Sequence, residues 1–358
     1  MTRESDAADG EHWDVWQAFL SWWRVTSRER RRATFARHSQ CAMLSATSGV
    51  CVAIKDDGTL FSWGSSQLDL RDLNNARAPF AAVSTGCPTL QRLADGEVPS
   101  VVALGLDGRV ACAGNNEYGQ APPEGLEGND FVAVSTGGSH TLALRVDGSC
   151  ACYGLNDHAQ APPNGVVGPF RAIAAGGRHS LGLTMDGSRV LCWGWNRHGQ
   201  APNPDAIQGP FVAISAGIRH SLAIRVDGSV ACWGDNSNQQ APSRDVRGPF
   251  VGVAAGDRHS CAIRVDGSVA CWGDNSRGQA PRVRIFPAPG GAAAVCCAAG
   301  VSLAVRPDGG VTPWGDPTYC PPEDVLVLRL NRPTVPASSG SAVASSSYAA
   351  PAVSYLVL

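Results

Sequence analysis

Residues 211–242 read FVAISAGIRHSLAIRVDGSVACWGDNSNQQAP, and residues 250–281 repeat them as FVGVAAGDRHSCAIRVDGSVACWGDNSRGQAP. Two earlier copies begin at Phe131 and Phe170, and weaker copies lie on both sides. A glycine ends the third apolar run of each copy, and these glycines are Gly64, Gly114, Gly154, Gly194, Gly234, Gly273 and Gly315. Seven units with a period of about 40 residues indicate a repeat array such as a solenoid or a propeller.

Each unit has the pattern of short antiparallel strands. In the fifth copy, residues 211–215 and 221–226 form apolar, strand-like runs, and the pair Asp227-Gly228 follows. Asp-Gly between two such runs is a strong hairpin signal, because glycine accepts the positive φ of a tight turn. The pair recurs once in every unit, so the sequence predicts seven hairpins.

Small sheets of three or four strands cannot bury both of their faces alone. Radial stacking into a closed ring covers both faces of every sheet, whereas an open stack exposes its terminal sheets. The predicted fold is therefore all-β: a seven-bladed β-propeller of short antiparallel blades over residues 41–330, with an N-terminal amphipathic helix and a flexible C-terminal tail.

The two ends of the chain lack the repeat. Three tryptophans and a leucine near the N-terminus have helical spacing: Trp13, Trp16, Leu20 and Trp23. Basic residues follow them, so residues 1–40 are predicted to form a helical, basic extension that packs on the propeller, docks a partner, directs nuclear import or contacts an anionic membrane. Residues 325–330 resemble one further strand, and the Ser-, Ala- and Pro-rich residues 331–358 are predicted to be a disordered tail.

The composition argues against a general nucleic-acid-binding protein, a membrane-spanning protein and a secreted protein. The chain has 358 residues with 29 basic and 31 acidic side chains, so nucleic acid contact is expected only through the basic N-terminal segment. No apolar stretch reaches the roughly 18 residues of a membrane-spanning helix, and the polar, acidic N-terminus does not resemble a secretory signal. We therefore expect a cytoplasmic or nuclear protein without a membrane span.

The 13 cysteines are odd in number and include no C-x-x-C pair, which argues against a complete disulfide framework and a ribbon-type zinc site. Five of them recur at one repeat position: Cys112, Cys152, Cys192, Cys232 and Cys271. These five are predicted to be small, buried core residues. Cys150 with Cys152, and Cys296 with Cys297, form close pairs that could be reactive.

Four repeat histidines are each followed by Ser or Thr: His140, His179, His220 and His259. A hydrolase needs one base and one oriented acid that converge on one nucleophile, whereas these residues are distributed around a ring. The Asp of each Asp-Gly pair is expected to belong to its turn. Since no phosphate loop, zinc motif or dinucleotide fingerprint appears either, we predict no enzyme activity, no cofactor and no metal site.

The consensus A-G-x-x-H-S-L-A-I-x-x-D-G-x-V-x-x-W-G-x-N-x-x-G-Q resembles the repeat of the regulator of chromosome condensation family. The resemblance runs from about Cys41 to Pro322 and is strongest in units three to six. It implies a seven-bladed propeller. It also implies three kinds of function, because similar propellers occur in exchange factors for a small nuclear GTPase with chromatin contact, in HECT-type ubiquitin ligases, and in a propeller-type β-lactamase inhibitor.

Recognition is expected where the copies differ at equivalent surface positions. Trp195 stands where neighbouring copies have Asp235 and Asp274, and it is the one tryptophan outside the N-terminal segment and the repeat W-G pairs. Trp, Tyr and Arg are enriched among interface hot spots. The predicted partner-binding residues are Tyr118, Asp157, His158, Trp195, Arg197, His198 and Arg277. The alternative is that Trp195 only caps the edge of its blade.

Two further irregularities leave alternatives open. Unit two contains an insertion that includes Pro88–Ser100, which is either a partner surface or a tolerated surface loop. Arg178, Arg219 and Arg258 occupy one position in three successive units. They could meet an acidic partner or a phosphate, or they are solvated decoration of the repeat.

These observations favour a non-enzymatic protein-interaction scaffold that binds a protein partner through variable rim loops. The family resemblance implies two alternatives: a guanine-nucleotide exchange factor for a small GTPase with chromatin contact, and an adaptor in ubiquitin ligation. The expected partner is accordingly a small GTPase, a ubiquitin-pathway component or another protein.

Overall fold

The structure is a computed structural model, and it describes residues 43–47, 49–64, 68–77, 79–86, 98–203, 207, 209–281, 283–284, 291–319 and 321. The predicted N-terminal helix, the extra strand at 325–330 and the C-terminal tail lie outside these residues. So does most of the insertion in unit two. Its last residue, Ser100, begins a strand.

The described strands form seven antiparallel sheets, one for each repeat. In chain order they are β1 (Leu44–Thr47), β2 (Val50–Ile54), β3 (Leu60–Gly64), β4 (Phe80–Gly86), β5 (Ser100–Gly105), β6 (Val110–Gly114), β7 (Phe131–Thr136), β8 (His140–Arg145), β9 (Cys150–Gly154), β10 (Phe170–Ala175), β11 (His179–Thr184), β12 (Val190–Gly194), β13 (Phe211–Ala216), β14 (His220–Arg225), β15 (Val230–Gly234), β16 (Phe250–Ala255), β17 (His259–Arg264), β18 (Val269–Gly273), β19 (Val283–Arg284), β20 (Ala294–Ala298), β21 (Val301–Val305) and β22 (Val311–Gly315).

Three consecutive strands make one blade, and blade six adds the short β19 as a fourth strand. A seven-residue helix, α1 (Arg71–Arg77), precedes blade two, and a single helical turn at Pro317–Tyr319 follows the last strand. Almost all regular structure in the described part of the chain is therefore β. The prediction of an all-β, seven-bladed propeller is confirmed.

The Asp-Gly pairs form the turns between the second and third strands of the blades. All seven glycines have a φ between +71° and +88°, which a side chain would strain. In blade five, Asp227 Oδ1 accepts the backbone N–H of Ser229 at 2.8 Å. The predicted hairpins and the structural role of these aspartates are both confirmed.

Each hydrophobic core lies between two neighbouring blades. Between blades five and six, for example, Leu222 packs in one cluster with Phe250. The described residues contain seven such clusters, and one of them joins Cys51 of blade one to Leu303 of blade seven. The first and last blades are therefore in contact, and the ring is closed.

The repeat cysteines lie at these interfaces. Cys112, Cys152, Cys192 and Cys271 are buried as predicted, and the described cysteines form no disulfides. Cys232 is only partly buried, because it packs at the margin of the cluster between blades five and six.

A recurring set of hydrogen bonds, here called the Gln clasp, joins each of blades three to six to the blade that follows it. Gln200 is the last residue of the loop after blade four. Its backbone carbonyl oxygen accepts two hydrogen bonds from blade five. The donors are Ser221 Oγ at 3.0 Å and Trp233 Nε1 at 3.0 Å. Equivalent clasps are centred on Gln160, Gln240 and Gln279. Since both donors belong to the following blade, the clasp fixes the relative position of two neighbours.

We predict that Ser221→Ala lowers the free energy of unfolding by about 1–3 kcal/mol, the usual cost of leaving buried polar groups without a partner. The Ser221 hydroxyl is fully buried and also accepts a hydrogen bond from His179 Nε2 at 2.9 Å. Its removal therefore leaves both His179 Nε2 and the Gln200 carbonyl without this partner. Urea denaturation measures the loss. The exposed Ser243 provides the control, and Ser243→Ala should change stability by less than about 0.5 kcal/mol. Equal effects of the two variants would contradict a stabilising clasp.

Candidate functional site

The four repeat histidines form hydrogen bonds between blades. Each begins the second strand of blades three to six, is almost completely buried, and places Nε2 beside a serine hydroxyl of the next blade. The pairs are His140–Ser180 at 2.9 Å, His179–Ser221 at 2.9 Å, His220–Ser260 at 2.9 Å and His259–Ser302 at 2.8 Å. The same geometry therefore occurs four times around the ring.

The direction of these bonds differs from that of an activated nucleophile. In the pair His179–Ser221, the serine donates its proton to the Gln200 carbonyl, so it accepts the bond from a protonated Nε2. A general base needs an unprotonated nitrogen toward the hydroxyl. The Nδ1 atoms of the four histidines also have no hydrogen-bond partner within the described residues, so no carboxylate orients them. The pairs thus have the geometry of structural hydrogen bonds.

Burial keeps three of these imidazoles neutral. It lowers the pKa of His140 to about 4 and the pKa of His179 and His220 to about 3. The cause is loss of hydration of the charged form, and neighbouring histidines lower the pKa of His179 further. The unfolded chain protonates the same side chains near pH 6.5. Between about pH 6.5 and 4 the unfolded state therefore binds more protons, and stability falls as the pH falls.

We predict that His140→Gln makes the pH dependence of stability shallower. Removing one such histidine should reduce the slope of the unfolding free energy between pH 6 and 5 by up to about 1.4 kcal/mol per pH unit. Urea denaturation at several pH values measures this slope. Leu142→Ala is the control, because it destabilises the same buried strand without removing a titratable group. The explanation is wrong if His140→Gln keeps the slope of the unaltered chain.

The loops that follow the W-G pairs form a rim on one side of the ring. These rim loops are residues 115–120, 155–160, 195–200, 235–240 and 274–279. In blade four, Asn196 Oδ1 accepts the N–H of Ala201 at 2.8 Å, and Gln200 Oε1 accepts the N–H of His198 at 2.9 Å. The N–H of Trp195 donates to the Arg178 carbonyl at 2.9 Å. Since equivalent bonds hold the other loops, the rim presents variable side chains on a fixed backbone.

Trp195 contacts side chains from three blades. Its ring stacks on His158 of the blade-three loop at 6.0 Å between centroids, and His198 meets it edge-on at 5.1 Å. The guanidinium of Arg219 from blade five lies 6.0 Å from the ring centroid. We call these four residues the Trp195 cluster. Trp195 is partly buried, so one part of its surface remains open to solvent.

Charged residues border the Trp195 cluster. Arg178 Nη1 lies 3.2 Å from His158 Nε2 and donates to it, and the same atom is 3.9 Å from Asp157 Oδ2. The side chain of Arg178 is 52% exposed, so its charge faces solvent as well as Asp157. Arg197 is exposed in the same rim loop as Trp195. Five of the seven predicted site residues therefore belong to two neighbouring loops.

Tyr118 and Arg277 lie apart from the other predicted residues. Tyr118 belongs to the blade-two loop, where its N–H donates to Gln120 Oε1 at 2.9 Å. Arg277 belongs to the blade-six loop and forms an ion pair with Asp316 of blade seven. The structure does not bring these two into contact with Trp195, and the partner-binding role of all seven residues stays a prediction.

From the sequence, Arg178 and Arg219 were two of three equivalent arginines, interpreted as contacts for an acidic partner or a phosphate or as solvated decoration, and they were not among the seven predicted site residues. Both precede a repeat histidine, and their recurrence at one position was the available signal. That position does not reveal contact with another blade's loop, because Arg219 and Trp195 are close only after the blades pack. The same applies to Arg178 and His158.

A narrow channel lies at the centre of the ring, where the first strands of the blades meet. Its volume is about 120 Å³, below the roughly 300 Å³ at which small-molecule pockets begin. Serine hydroxyls along it bind the next blade, as when Ser135 Oγ accepts the N–H of Ala175 at 2.9 Å. The channel is accordingly lined by hydroxyl groups that take part in structural hydrogen bonds between blades.

Comparison with known proteins identifies the repeat. The sequence model of the Regulator of chromosome condensation (RCC1) repeat matches residues 131–160, 170–200, 211–240 and 250–279, which belong to blades three to six. No curated protein sequence matches the chain. Among the described residues, no helix is long and apolar enough to cross a membrane.

Several solved structures share the fold. The CRINKLY WD40 ectodomain of the Arabidopsis thaliana receptor kinase ACR4 is 21% identical with a TM-score of 0.59, over 76% of this chain and 95% of that chain. Prp20p from Saccharomyces cerevisiae is 19% identical with a TM-score of 0.53, over 71% and 80%. Human WBSCR16 is 17% identical with a TM-score of 0.55, over 72% and 79%. At these identities the likeness concerns the fold alone.

Proposed function

Because this chain is a seven-bladed propeller with regulator of chromosome condensation repeats, we propose that it is a non-enzymatic scaffold that binds a protein partner through its rim loops. The observation that carries the proposal is the Trp195 cluster. It is the place on the rim where a large aromatic ring replaces the aspartate of neighbouring repeats and joins three blades.

The Trp195 cluster has the physical properties of a binding hot spot. Its loop is held by hydrogen bonds from backbone N–H groups to the side-chain oxygens of Asn196 and Gln200. Little conformational entropy therefore remains to be lost when a partner binds. The aromatic ring offers a large apolar surface beside polar groups of His158 and His198. Such a preorganised aromatic group is suited to anchor one side chain of a partner.

The charges around the cluster favour an acidic partner segment. Arg178, Arg197 and Arg219 lie in or beside it, whereas Asp157 already faces Arg178. Complementary charges speed association and select against wrong partners. We infer that the partner presents an apolar or aromatic side chain flanked by carboxylates.

Two features support a role without catalysis. In the histidine–serine pairs the histidine Nε2–H donates to the serine hydroxyl, whereas a general base would accept the proton of that hydroxyl. The pairs are also buried between blades. The central channel is smaller than the usual pocket for a small-molecule substrate.

We predict that the double variant Trp195→Asp, Arg197→Ser weakens partner binding by at least about 30-fold, since hot-spot residues contribute about 2 kcal/mol or more. Both substitutions place the residues of blade five, Asp235 and Ser237, in blade four, so the fold should be retained. Affinity purification with mass spectrometry identifies the partner, and titration against that purified partner measures the dissociation constant.

The control is Tyr118→Asn, which removes another rim aromatic and introduces the residue of blade five at that position, Asn238. If the Trp195 cluster alone anchors the partner, Tyr118→Asn leaves binding within a few-fold of the unaltered chain, and the prediction that Tyr118 is a binding residue is then wrong. Unchanged affinity of the Trp195→Asp, Arg197→Ser variant, with its melting temperature preserved, would refute the proposed site. Loss of binding in Tyr118→Asn alone would place the partner on the other side of the rim.

A small GTPase is the second candidate partner. The structure of Prp20p, which shares this fold, was described together with binding to Gsp1p and histones. Release of labelled GDP from a GTPase captured by this chain tests exchange activity directly. Acceleration supports the exchange factor, and capture of ubiquitin ligase components instead supports the adaptor. Location in the cytoplasm or nucleus, and nucleic acid contact through residues 1–40, remain predictions.

A further inference from the structure

The junction between blades six and seven contains a cluster of sulfur atoms. At three sister junctions the histidine–serine pair has leucine and alanine beside it: Leu142 and Ala175, Leu181 and Ala216, and Leu222 and Ala255. At the pair His259–Ser302, the same two positions hold Cys261 and Cys297. All of these residues are buried or nearly so. Both substitutions bring a thiol to the same imidazole.

A short turn in blade seven creates space for this arrangement. Strand β20 turns directly into β21 at Ala299-Gly300, and the A-G-x-x-H loop of blades three to six is absent there. Gly256 faces the opening. A Cβ at Gly256 would lie 2.9 Å from His259 Nδ1 and 3.1 Å from Cys297 Cβ. The imidazole and the thiol side chain therefore share the space beside this glycine.

We propose that His259, Cys261 and Cys297 bind a zinc ion. One ligand atom from each residue lies within 4.8 Å of the other two. Tetrahedral zinc has Zn–S distances of about 2.3 Å and Zn–N distances of about 2.0–2.1 Å, so its ligand atoms are less than about 4 Å apart. Binding would require side-chain rotations that shorten these separations from at most 4.8 Å to less than about 4 Å. Thiolate and imidazole are the donors that zinc prefers in structural sites.

The hydrogen bonds of His259 leave a lone pair for a metal. Nε2 donates to Ser302 Oγ at 2.8 Å, and that hydroxyl donates to the Gln279 carbonyl at 2.9 Å. The remaining lone pair is on Nδ1, which is buried without a hydrogen-bond partner in the described part of the chain. Metal-binding histidines usually donate their second ring N–H in this way, which fixes the orientation of the ring. The Gln clasp supplies that support here.

The charges of the site balance when a divalent ion is present. Burial raises the pKa of the Cys261 and Cys297 thiols well above the usual range, so both are protonated without a metal. Zinc binding displaces the two S–H protons to solvent, and two thiolates with a neutral imidazole neutralise the ion. A net charge of zero is compatible with a buried site.

Cys271 lies beside the three ligands but is not one of the residues whose ligand atoms lie within 4.8 Å of one another. It pairs with Cys261 across strands β17 and β18, and the two Sγ atoms are 2.8 Å apart. The central channel provides an entry path, because Cys297 lines it together with Ala254 and Ala255.

The test compares zinc content and cobalt spectra of the full chain, purified with a reductant, and of Cys261→Leu and Cys297→Ala. These variants restore the residues of the sister junctions, so they should fold. We expect about one zinc per chain by plasma mass spectrometry, at least tenfold less in either variant, and a thiolate-to-cobalt charge-transfer band after refolding with Co²⁺. Cys232→Ala, which removes a repeat cysteine from another blade, should keep both signals.

The proposal is independent of partner binding at the rim and fails separately from it. Absence of zinc and of the cobalt band in the unaltered chain, or their retention in folded Cys261→Leu and Cys297→Ala, would overturn it. A disulfide between Cys261 and Cys271 in the reduced preparation, detected by peptide mass spectrometry, would do the same.

Discussion

No blade of this propeller buries its faces without its neighbours, and the Gln clasp holds blades three to seven at the spacing that burial requires. The interfaces combine small residues such as alanine with closely packed Leu, Ile and Phe side chains, so neighbouring sheets must approach closely to exclude water. A carbonyl such as Gln200 receives a serine and a tryptophan from the next blade, which fixes both the height and the rotation of that blade. Polar and apolar contacts thus impose the same geometry.

This constraint determines what the repeated polar residues are able to do. The serine hydroxyl, the histidine Nε2 and the tryptophan Nε1 are all engaged in joining blades. A group already bound in a buried interface is not accessible to a partner or substrate. Recognition is therefore left to positions outside the clasp, where the copies have diverged, and Trp195 is the largest such change on the rim.

The sequence was sufficient to predict the number of blades, the hairpins and the buried role of most repeat cysteines, because these depend on local patterns. Asp227-Gly228 fixes its turn through residues within one unit. Contacts such as Trp195 with Arg219 join residues of different blades, and they depend on how the blades pack. The sulfur atoms beside His259 were missed for the same reason, since Cys261 and Cys297 belong to different blades and form no C-x-x-C pair in the sequence.

The seam of the ring explains why an irregular site arises in this place. Where blade seven meets blade one, Cys296 takes the position of the channel serines, and the N–H of Ala46 faces its sulfur. Val301 takes the position of the repeat histidine. Closure at the seam therefore relies more on apolar packing, and the A-G-x-x-H loop is dispensable in blade seven. At the junction next to this seam, Cys297 takes the position that alanine has at the sister junctions, so the cluster of metal-ligating side chains lies beside a blade that departs from the repeat.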